Sequence, residues 1–257
     1  MSYFDAAILG ILQGLTEFLP VSSSGHLVLA QAILGVKQSG VSFEVLVHLG
    51  SLLAVLVYFR SRIFRLVKSL FDNGMVAERK IVLGLIVATL PAVIAALLFK
   101  DFFEAAFSNP LMTSIMLFVT GIILISTVLV KKRSGVVTIP KALLMGIGQA
   151  VAIIPGISRS GTTIATGIMA GVEPAVAAEF SFLLSIPAIL GAVVFKSRDL
   201  LALEPSLMPQ YVLGMITTFV ASLFAVYAVL AVIKRGKFVL FGYYCFAAGA
   251  LGLYLFL

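Results

Sequence analysis

The chain has 257 residues, of which 61% are hydrophobic and only 11% are charged, and its mean hydropathy is +1.17. Because soluble domains carry roughly 25% charged residues, this composition excludes an ordinary soluble domain and predicts an all-α protein that crosses a membrane several times. The net charge of +7 does not indicate nucleic-acid binding, because the cations cluster at the ends of hydrophobic segments, as topology determinants do.

The first predicted element, residues 3–35, is an apolar stretch that the sequence LPVSSSGH interrupts near its middle. The parts on either side have about 10–15 residues, whereas a helix that crosses a bilayer needs about 20. We therefore predict a re-entrant helical hairpin, whose irregular backbone is buried in protein or lines a cavity. A second hairpin is predicted at residues 141–171, where IPGISRSG makes the interruption.

Six other segments are apolar and long enough to cross a bilayer as single helices. In chain order, these predicted transmembrane helices are residues 41–59, 81–99, 110–130, 174–195, 210–233 and 238–257. The sequence thus predicts six transmembrane helices and two re-entrant hairpins.

The cations predict how these segments are oriented. Most of the 18 lysines and arginines follow the first, third and fifth spans, and residues 60–80 are predicted to form the most basic loop. By the positive-inside rule these loops lie on the cytoplasmic side of the membrane. Because three spans separate the two hairpins, the first enters from the outer face and the second from the cytoplasmic face.

The two halves of the chain also resemble each other. A shift of 136 residues aligns Gln13 with Gln149, residues 22–25 with residues 158–161, and Phe59 with Phe195. This similarity predicts one membrane domain, residues 1–257, built from repeats at about 1–130 and 137–257. Such inverted repeats place ligand sites where their broken helices meet near the bilayer midplane.

Each interruption leads into a helix-like run, so each Ser- and Gly-rich loop ends at a helix N-terminus. Free N–H groups and the positive end of the helix dipole make such a terminus an anion site, to which hydroxyls add donors. Arg159 supplies a forked cation suited to phosphate. The candidate phosphate-binding residues are Ser22, Ser24, Gly25, Ser158, Ser160, Gly161, Thr162 and Thr163.

The first loop and the helix before it carry reactive groups. Gln13 and Glu17 lie four residues apart on one helical face, and Ser23 precedes His26 by three residues. A carboxylate, a hydroxyl and an imidazole that face an arginine suit phosphoryl transfer. The candidate catalytic residues are Glu17, Ser23, His26 and Arg159, with Gln13 in a supporting role.

Structural roles are open for several of these polar residues. Arg159 could pair with Glu17 or Glu179 and only lock the hairpins together, although ionisable residues inside membrane segments usually mark function. Glu179 is a helix-start carboxylate or a wall group of the cavity, and we count it as a supporting residue. His48 lies among apolar residues of a span and is predicted to be a packing or hydrogen-bonding residue.

Two stretches resemble the signature motifs of the integral-membrane undecaprenyl-diphosphatase family, the bacitracin-resistance phosphatases. They are QGLTEFLPVSSSGH at residues 13–26 and PGISRSGTT at residues 155–163. The resemblance implies hydrolysis of undecaprenyl diphosphate, which recycles the lipid carrier for peptidoglycan and other envelope polymers. It implies active-site positions at Glu17, Ser23, His26, Ser158, Arg159, Ser160 and Thr163.

The resemblance also implies a divalent cation, Mg²⁺ or Ca²⁺, for which Glu17 is the candidate ligand. The family motif begins with Glu or Gln, and this chain has the Gln version at Gln13. Glu17 is then the one carboxylate of the motif, and the diphosphate could carry the ion itself.

A mechanism follows as a hypothesis. The lipid tail lies in a groove open to the bilayer, and Arg159 with the loop N–H groups holds the terminal phosphate. Ser23 is the candidate nucleophile, His26 takes its proton or protonates the leaving oxygen, and Glu17 orients His26 or binds the ion. In the rival version His26 is itself the nucleophile or activates water directly.

A function of another class is also open. Inverted repeats with broken helices occur in secondary transporters, so the alternative is a transporter or flippase for a phosphate-bearing or lipid-linked solute. Such a carrier has no use for Ser23 and His26, which therefore favour the enzyme. The expected partners are a polyprenyl diphosphate, reached from the outer (periplasmic) face, and membrane lipids. A homo-oligomer is open, because lipid-facing surfaces and subunit interfaces have similar compositions.

Overall fold

The structure is a computed structural model that describes residues 1–35, 40–107, 109–130, 133–195 and 205–257. These segments form the helices α1 (Tyr3–Phe18), α2 (Ser23–Leu34), α3 (Gly40–Tyr58), α4 (Arg60–Lys68), α5 (Val76–Leu98), α6 (Lys100–Phe107), α7 (Pro110–Ser126), α8 (Ile139–Val151), α9 (Arg159–Met169), α10 (Pro174–Phe195), α11 (Met208–Lys234) and α12 (Leu240–Phe256). Short 3₁₀ helices cover Thr127–Leu129 and Pro205–Leu207. The described residues form no β-strand, and an isolated bridge joins Gly135 and Val172. The all-α prediction is confirmed.

Four helical segments are long and apolar enough to cross a membrane, namely Val76–Leu98, Pro110–Leu129, Pro174–Val194 and Pro205–Lys234. They coincide with four of the six predicted spans. A fifth crossing exists if α3 and α4, which are bent by 75° relative to each other, count as one span. The chain is therefore a multi-pass membrane protein. The sixth predicted span is α12, whose 17 residues measure about 26 Å, somewhat less than the ~30 Å hydrocarbon core.

The prediction of a loop after the first span is wrong for residues 60–68, which form α4. Leu66 is buried and Ile63 packs against the core, while Arg60, Arg65 and Lys68 are exposed. This distribution is typical of an amphipathic helix. Between the cations, apolar residues recur at helical spacing, at Ile63, Leu66 and Val67.

The helices of the two predicted hairpins are short. α1 and α2 have 16 and 12 residues, and α8 and α9 have 13 and 11. α1 ends before Pro20, whose ring restricts the residue before it, and Leu19 is accordingly extended. Between α8 and α9 the chain turns at Gly156, where φ is +93°. An added Cβ there would lie 2.3 Å from the carbonyl oxygen of Thr113, so only glycine fits.

Small residues fix α1 against α11. A Cβ added to Gly14 would lie 2.5 Å from the carbonyl oxygen of Thr218, so the two backbones are in close contact. The hydroxyl of Thr218 donates to the carbonyl of Gly10 at 2.8 Å, and the hydroxyl of Ser222 donates to that of Gly14 at 3.3 Å. These contacts hold the helix that carries Gln13 and Glu17.

An apolar cluster lies beside the two interrupted segments. Phe18, at the end of α1, is fully buried and meets the Phe182 ring of α10 edge-on at 5.5 Å. Ile164 and Ile168 of α9 belong to the same buried cluster. The core thus connects the end of α1 with the helix that follows the second loop.

Candidate active site

The Glu17 carboxylate is the centre of a buried polar cluster. Its Oε2 accepts hydrogen bonds from the Gln13 side-chain amide at 2.9 Å and from the Ser23 hydroxyl at 2.6 Å. Its Oε1 forms an ion pair with the Arg159 guanidinium. The Glu17 and Arg159 side chains are 6% and 17% exposed, so water screens this ion pair weakly. The Glu17 carboxylate therefore contacts two other predicted catalytic residues, Ser23 and Arg159.

The first loop brings Ser23 to Glu17 through an unusual backbone. Ser22 has φ +69°, a conformation that costs a residue other than glycine about 1–3 kcal/mol. As the N-cap of α2, its hydroxyl accepts from the Gly25 amide at 3.2 Å, and it lies 3.3 Å from the Ser24 hydroxyl. Such strain is typical of functional loops. The turn presents Ser23, in the first turn of α2, to the carboxylate.

The second loop has the same capping pattern. Ser158 is the N-cap of α9, and its hydroxyl accepts from the Gly161 amide at 3.0 Å. Thr120 of α7 supports the loop, because its hydroxyl accepts from the Ser158 amide and donates to the Gly156 carbonyl. Arg159 follows as the first residue of α9. Both loops thus end in a serine-capped helix N-terminus, as the sequence predicted.

The two loops are in direct contact. The Ser160 hydroxyl of the second loop donates to the Leu19 carbonyl of the first at 3.0 Å. A Cβ added to Gly25 would lie 3.1 Å from the Cα of Gly156, so the backbones are close there as well. The amides in the first turn of each helix have no acceptor within the helix. The serine caps accept from one of them in each loop, at Gly25 and Gly161. The meeting point combines these donors with a guanidinium and several hydroxyls, which suits a phosphate group.

His26 lies in the first turns of α2 but does not contact Ser23 or Glu17 through a hydrogen bond. Its Nδ1 lies 2.8 Å from the Ser22 carbonyl, so Nδ1 carries a proton, because a carbonyl only accepts. Its Nε2 lies 2.8 Å from the Tyr244 hydroxyl, and the two rings are stacked at 5.6 Å. The structure therefore pairs the Ser23 hydroxyl with Glu17 and gives His26 a different partner from the one expected.

The structure adds two residues that the sequence analysis did not place in the site. Tyr244 of α12 contacts His26, as described above. His48 of α3 points its Nε2 at Glu17 Oε2 across 3.8 Å, while its Nδ1 donates to the Glu44 carbonyl at 2.6 Å. His48 thus forms a hydrogen bond, as predicted, and its imidazole also borders the central carboxylate.

The remaining predicted residues divide into two groups. The Thr163 hydroxyl donates to the Arg159 carbonyl at 2.8 Å and bonds the Ser181 hydroxyl, which fixes the base of the second loop. The Thr162 hydroxyl, by contrast, is buried without a hydrogen-bond partner among the described residues, and the Thr162 methyl group lies towards α8 at Gly148. Thr163 therefore supports the loop, while Thr162 packs away from the meeting point.

Glu179 has a partner outside the loop region. Its carboxylate accepts a hydrogen bond from Nε of Arg62, in α4, at 2.8 Å. Of the two carboxylates that the sequence offered to Arg159, the structure selects Glu17. Glu179 therefore holds α4 against α10, and among the described residues its carboxylate bonds Arg62 and not the two loops.

Comparisons with known proteins identify the family of this chain. The sequence pattern of the family described as "Bacitracin resistance protein BacA" matches residues 6–251. A protein of Syntrophotalea carbinolica named undecaprenyl-diphosphatase is 42% identical over 257 residues, with 98% of each chain covered. Proteins of the same name from Salinibacter ruber and Methanobrevibacter smithii are 38% and 39% identical, covering 99% and 97% of this chain and 100% and 96% of their own. The chain is a multi-pass membrane protein and belongs to the bacitracin resistance protein family.

Proposed function

We propose that this chain is a membrane phosphatase that hydrolyses undecaprenyl diphosphate to undecaprenyl phosphate and inorganic phosphate. The reaction recycles the lipid carrier for peptidoglycan and other envelope polymers. Family membership supports this function. The single observation that carries the chemistry is the Ser23 hydroxyl on the Glu17 carboxylate, beside the Arg159 guanidinium. A carrier needs the Arg159 guanidinium but not an activated hydroxyl.

The topology is part of the proposal. Six crossings and two re-entrant helix pairs, in inverted repeats at about 1–130 and 137–257 of one domain, place both loops inside the bacterial inner membrane. The same serine cap in each loop supports the repeat, because Ser22 bonds the Gly25 amide and Ser158 bonds the Gly161 amide. The positive-inside rule orients the chain, and family membership supports entry of the diphosphate from the periplasmic face.

In the first step the Ser23 oxygen attacks the terminal phosphorus. A bond forms between Ser23 Oγ and phosphorus, and the bond from phosphorus to the bridging oxygen breaks, so that its electron pair leaves with undecaprenyl phosphate. The Ser23 proton passes to Glu17, whose Oε2 already accepts it in a hydrogen bond of 2.6 Å. This assignment corrects the hypothesis that His26 takes the proton, because His26 Nε2 bonds Tyr244 instead.

Arg159 connects phosphate binding with the activation of Ser23. In the structure its guanidinium neutralises Glu17. When the guanidinium turns to the terminal phosphate, the carboxylate loses its cationic partner and accepts a proton more readily. The loop amides and serine hydroxyls share the charge that the phosphate oxygens carry in the transition state.

In the second step a water molecule displaces Ser23 from phosphorus. A bond forms between the water oxygen and phosphorus, the bond to Ser23 Oγ breaks, and inorganic phosphate leaves. Ser23 Oγ regains a proton from Glu17. We assign the proton of the water to His26 Nε2, which Tyr244 orients, and His26 then passes it to the departing phosphate. In the rival version, His26 activates water directly or is itself phosphorylated.

The residues present fit a divalent cation in a mixed site. The Gln13 Oε1 atom is buried and has no hydrogen-bond partner among the described residues, and it belongs to the amide that bonds Glu17. This oxygen and a carboxylate oxygen of Glu17 suit Mg²⁺ or Ca²⁺ when phosphate oxygens and water complete the coordination. The described residues contain no group of three His, Cys, Asp or Glu side chains that could hold a metal alone. When bound, the ion would neutralise charge on the diphosphate.

Phosphate release from a polyprenyl diphosphate by the purified protein tests this function. The variants are Ser23→Ala and Arg159→Gln, assayed with Mg²⁺ or Ca²⁺ in detergent. Matched controls are Ser126→Ala, whose hydroxyl bonds only groups remote from the loops, and Arg62→Gln, which breaks the pair with Glu179. We expect both site variants to lose activity and both controls to retain it.

Two further results would decide against parts of the proposal. Folded wild-type protein that releases no phosphate would favour the transporter or flippase. A trapped phosphoenzyme mapped to His26 would refute Ser23 as the nucleophile, whereas a label on Ser23 is the expected result.

A further inference from the structure

Helix α4 leaves the direction of α3 at a sharp bend. The axes of the two helices differ by 75° at the break after Tyr58. If α3 crosses the membrane, α4 therefore runs nearly parallel to the membrane surface. By the charge pattern this surface is the cytoplasmic one.

The inner side of α4 is fixed to the rest of the protein. Leu66 is 6% exposed and belongs to the buried core, and Ile63 packs against it. Arg62 points inward as well, where it binds Glu179 and lies 3.9 Å from Glu78. This side of the helix has its partners within the chain.

The outer side of α4 presents an apolar row. Phe64 is 70% exposed, Val67 is 51% exposed, and Phe71, just beyond the helix, is 87% exposed. Positions separated by three and seven residues lie on one face of a helix. Val67 and Leu70 border an apolar groove of about 210 Å³ between α4, α5 and α10, which Ile63 and Leu66 of the inner side also line.

A basic row runs beside the apolar one. Arg60, Arg65 and Lys68 are exposed, and none of them forms a salt bridge with a described residue. Arg60 donates only to the Val57 carbonyl, at 3.1 Å. An open pocket of about 460 Å³ lies between Arg60, Ser61, Phe64 and Arg65. It combines two guanidinium groups with a hydroxyl and an aromatic ring.

We propose that α4 is an interfacial helix that binds anionic phospholipid. The lipid phosphate lies in the pocket between Arg60 and Arg65, where guanidinium forks match its oxygens. The acyl chains cover Phe64 and Val67 and enter the apolar groove. Charge selects the partner, because cations near a membrane surface attract anionic lipids and apolar residues alone would not discriminate between lipids. This site is separate from the two loops and does not depend on the proposed function.

The absence of tryptophan from the chain gives a clean probe. Phe64→Trp introduces a single tryptophan into α4, and the protein is reconstituted into equimolar phosphatidylcholine and phosphatidylglycerol vesicles. One or the other lipid carries brominated acyl chains, which quench tryptophan fluorescence on contact. The ratio of quenching by brominated phosphatidylglycerol to quenching by brominated phosphatidylcholine measures selectivity for the anionic lipid.

Two comparisons make the experiment decisive. In the first, Arg60, Arg65 and Lys68 are changed together to Gln in the Phe64→Trp protein. In the second, Tyr254→Trp places the tryptophan at a position that is 84% exposed, within residues 238–257, which contain no lysine or arginine. The buried thiol of Cys245 should stay unreactive towards maleimide in every variant, which confirms folding.

We expect brominated phosphatidylglycerol to quench the tryptophan at position 64 more strongly, because each contributing cation raises the local ratio of phosphatidylglycerol to phosphatidylcholine by about five-fold. The ratio should fall to one in the triple variant and stay near one at position 254. Equal ratios at both positions, or a ratio that the triple variant keeps, would overturn the proposal. Displacement of phosphatidylglycerol by a few per cent of polyprenyl phosphate would instead assign the pocket to that lipid and equally overturn it.

Discussion

Replacement of Glu17 by glutamine tests the centre of the proposed mechanism. The variant keeps the shape of the side chain but removes the charge that pairs with Arg159 and the base that takes the proton of Ser23. A positioned general base contributes about 10²–10⁴-fold to a rate, which corresponds to about 2.7–5.5 kcal/mol of activation free energy. We therefore expect kcat for phosphate release to fall by about 10²–10⁴-fold.

The Michaelis constant separates a base from a phosphate ligand. In Glu17→Gln the Arg159 guanidinium loses its competing carboxylate, so KM for the diphosphate should stay the same or fall. A variant whose kcat stays within about ten-fold of the wild type, or whose only change is a higher KM, would refute the role of Glu17 as the base. Glu179→Gln is the matched control, because it removes the carboxylate of the other Arg–Glu pair and should keep full activity.

Folding has to be measured in the same samples. Removal of one partner from a buried ion pair destabilises proteins by about 3–5 kcal/mol, and part of any activity loss could come from unfolded protein. Cys245 is the one cysteine in the chain and is buried, so a thiol-reactive dye reports unfolding in detergent. The rate of each variant is then expressed per folded molecule.

Two further substitutions test the surroundings of the site. Tyr244→Phe keeps a ring to stack on His26 but removes the hydroxyl that bonds His26 Nε2. The loss of about 1 kcal/mol of hydrogen bonding predicts an approximately five-fold lower kcat with KM unchanged. Full activity in a kinetic assay would show that the hydroxyl does not act through His26. Gly156→Ala combines a φ of +93° with a contact of 2.3 Å to the Thr113 carbonyl oxygen, so we expect destabilisation of about 1–3 kcal/mol or more in thermal unfolding. Gly191→Ala, where an added Cβ meets nothing within 4 Å, is the control, and equal stability of the two variants would contradict the argument.

The central part of the site was predictable because it depends on local rules. Gln13 and Glu17 are four residues apart, and in α1 their side chains form the hydrogen bond that this spacing predicts. The two serine caps likewise follow from loop sequences that lead into helices. Glu17 was one of two carboxylates that the sequence allowed as the partner of Arg159, and tertiary packing determines which of them forms the ion pair.

Residues that reach the site through packing between distant helices could not be identified from sequence. Tyr244 is one of seven tyrosines, and no local pattern distinguishes the one whose helix lies against α2. His48 gave a weak signal, since the chain has only two histidines and few ionisable residues within its apolar segments. Glu179 was misplaced because its partner, Arg62, comes from a segment that was predicted to be a loop and is instead α4.

The contact between the two loops has a consequence for product release. The Arg159–Glu17 ion pair and the Ser160–Leu19 hydrogen bond both connect one half of the chain to the other. Helix α1, in the first half, is also in backbone contact with α11, in the second, so the halves cannot separate without breaking the packing that holds Glu17. Release of the lipid phosphate therefore calls for rotation of side chains, such as the Arg159 guanidinium, and not for separation of the halves.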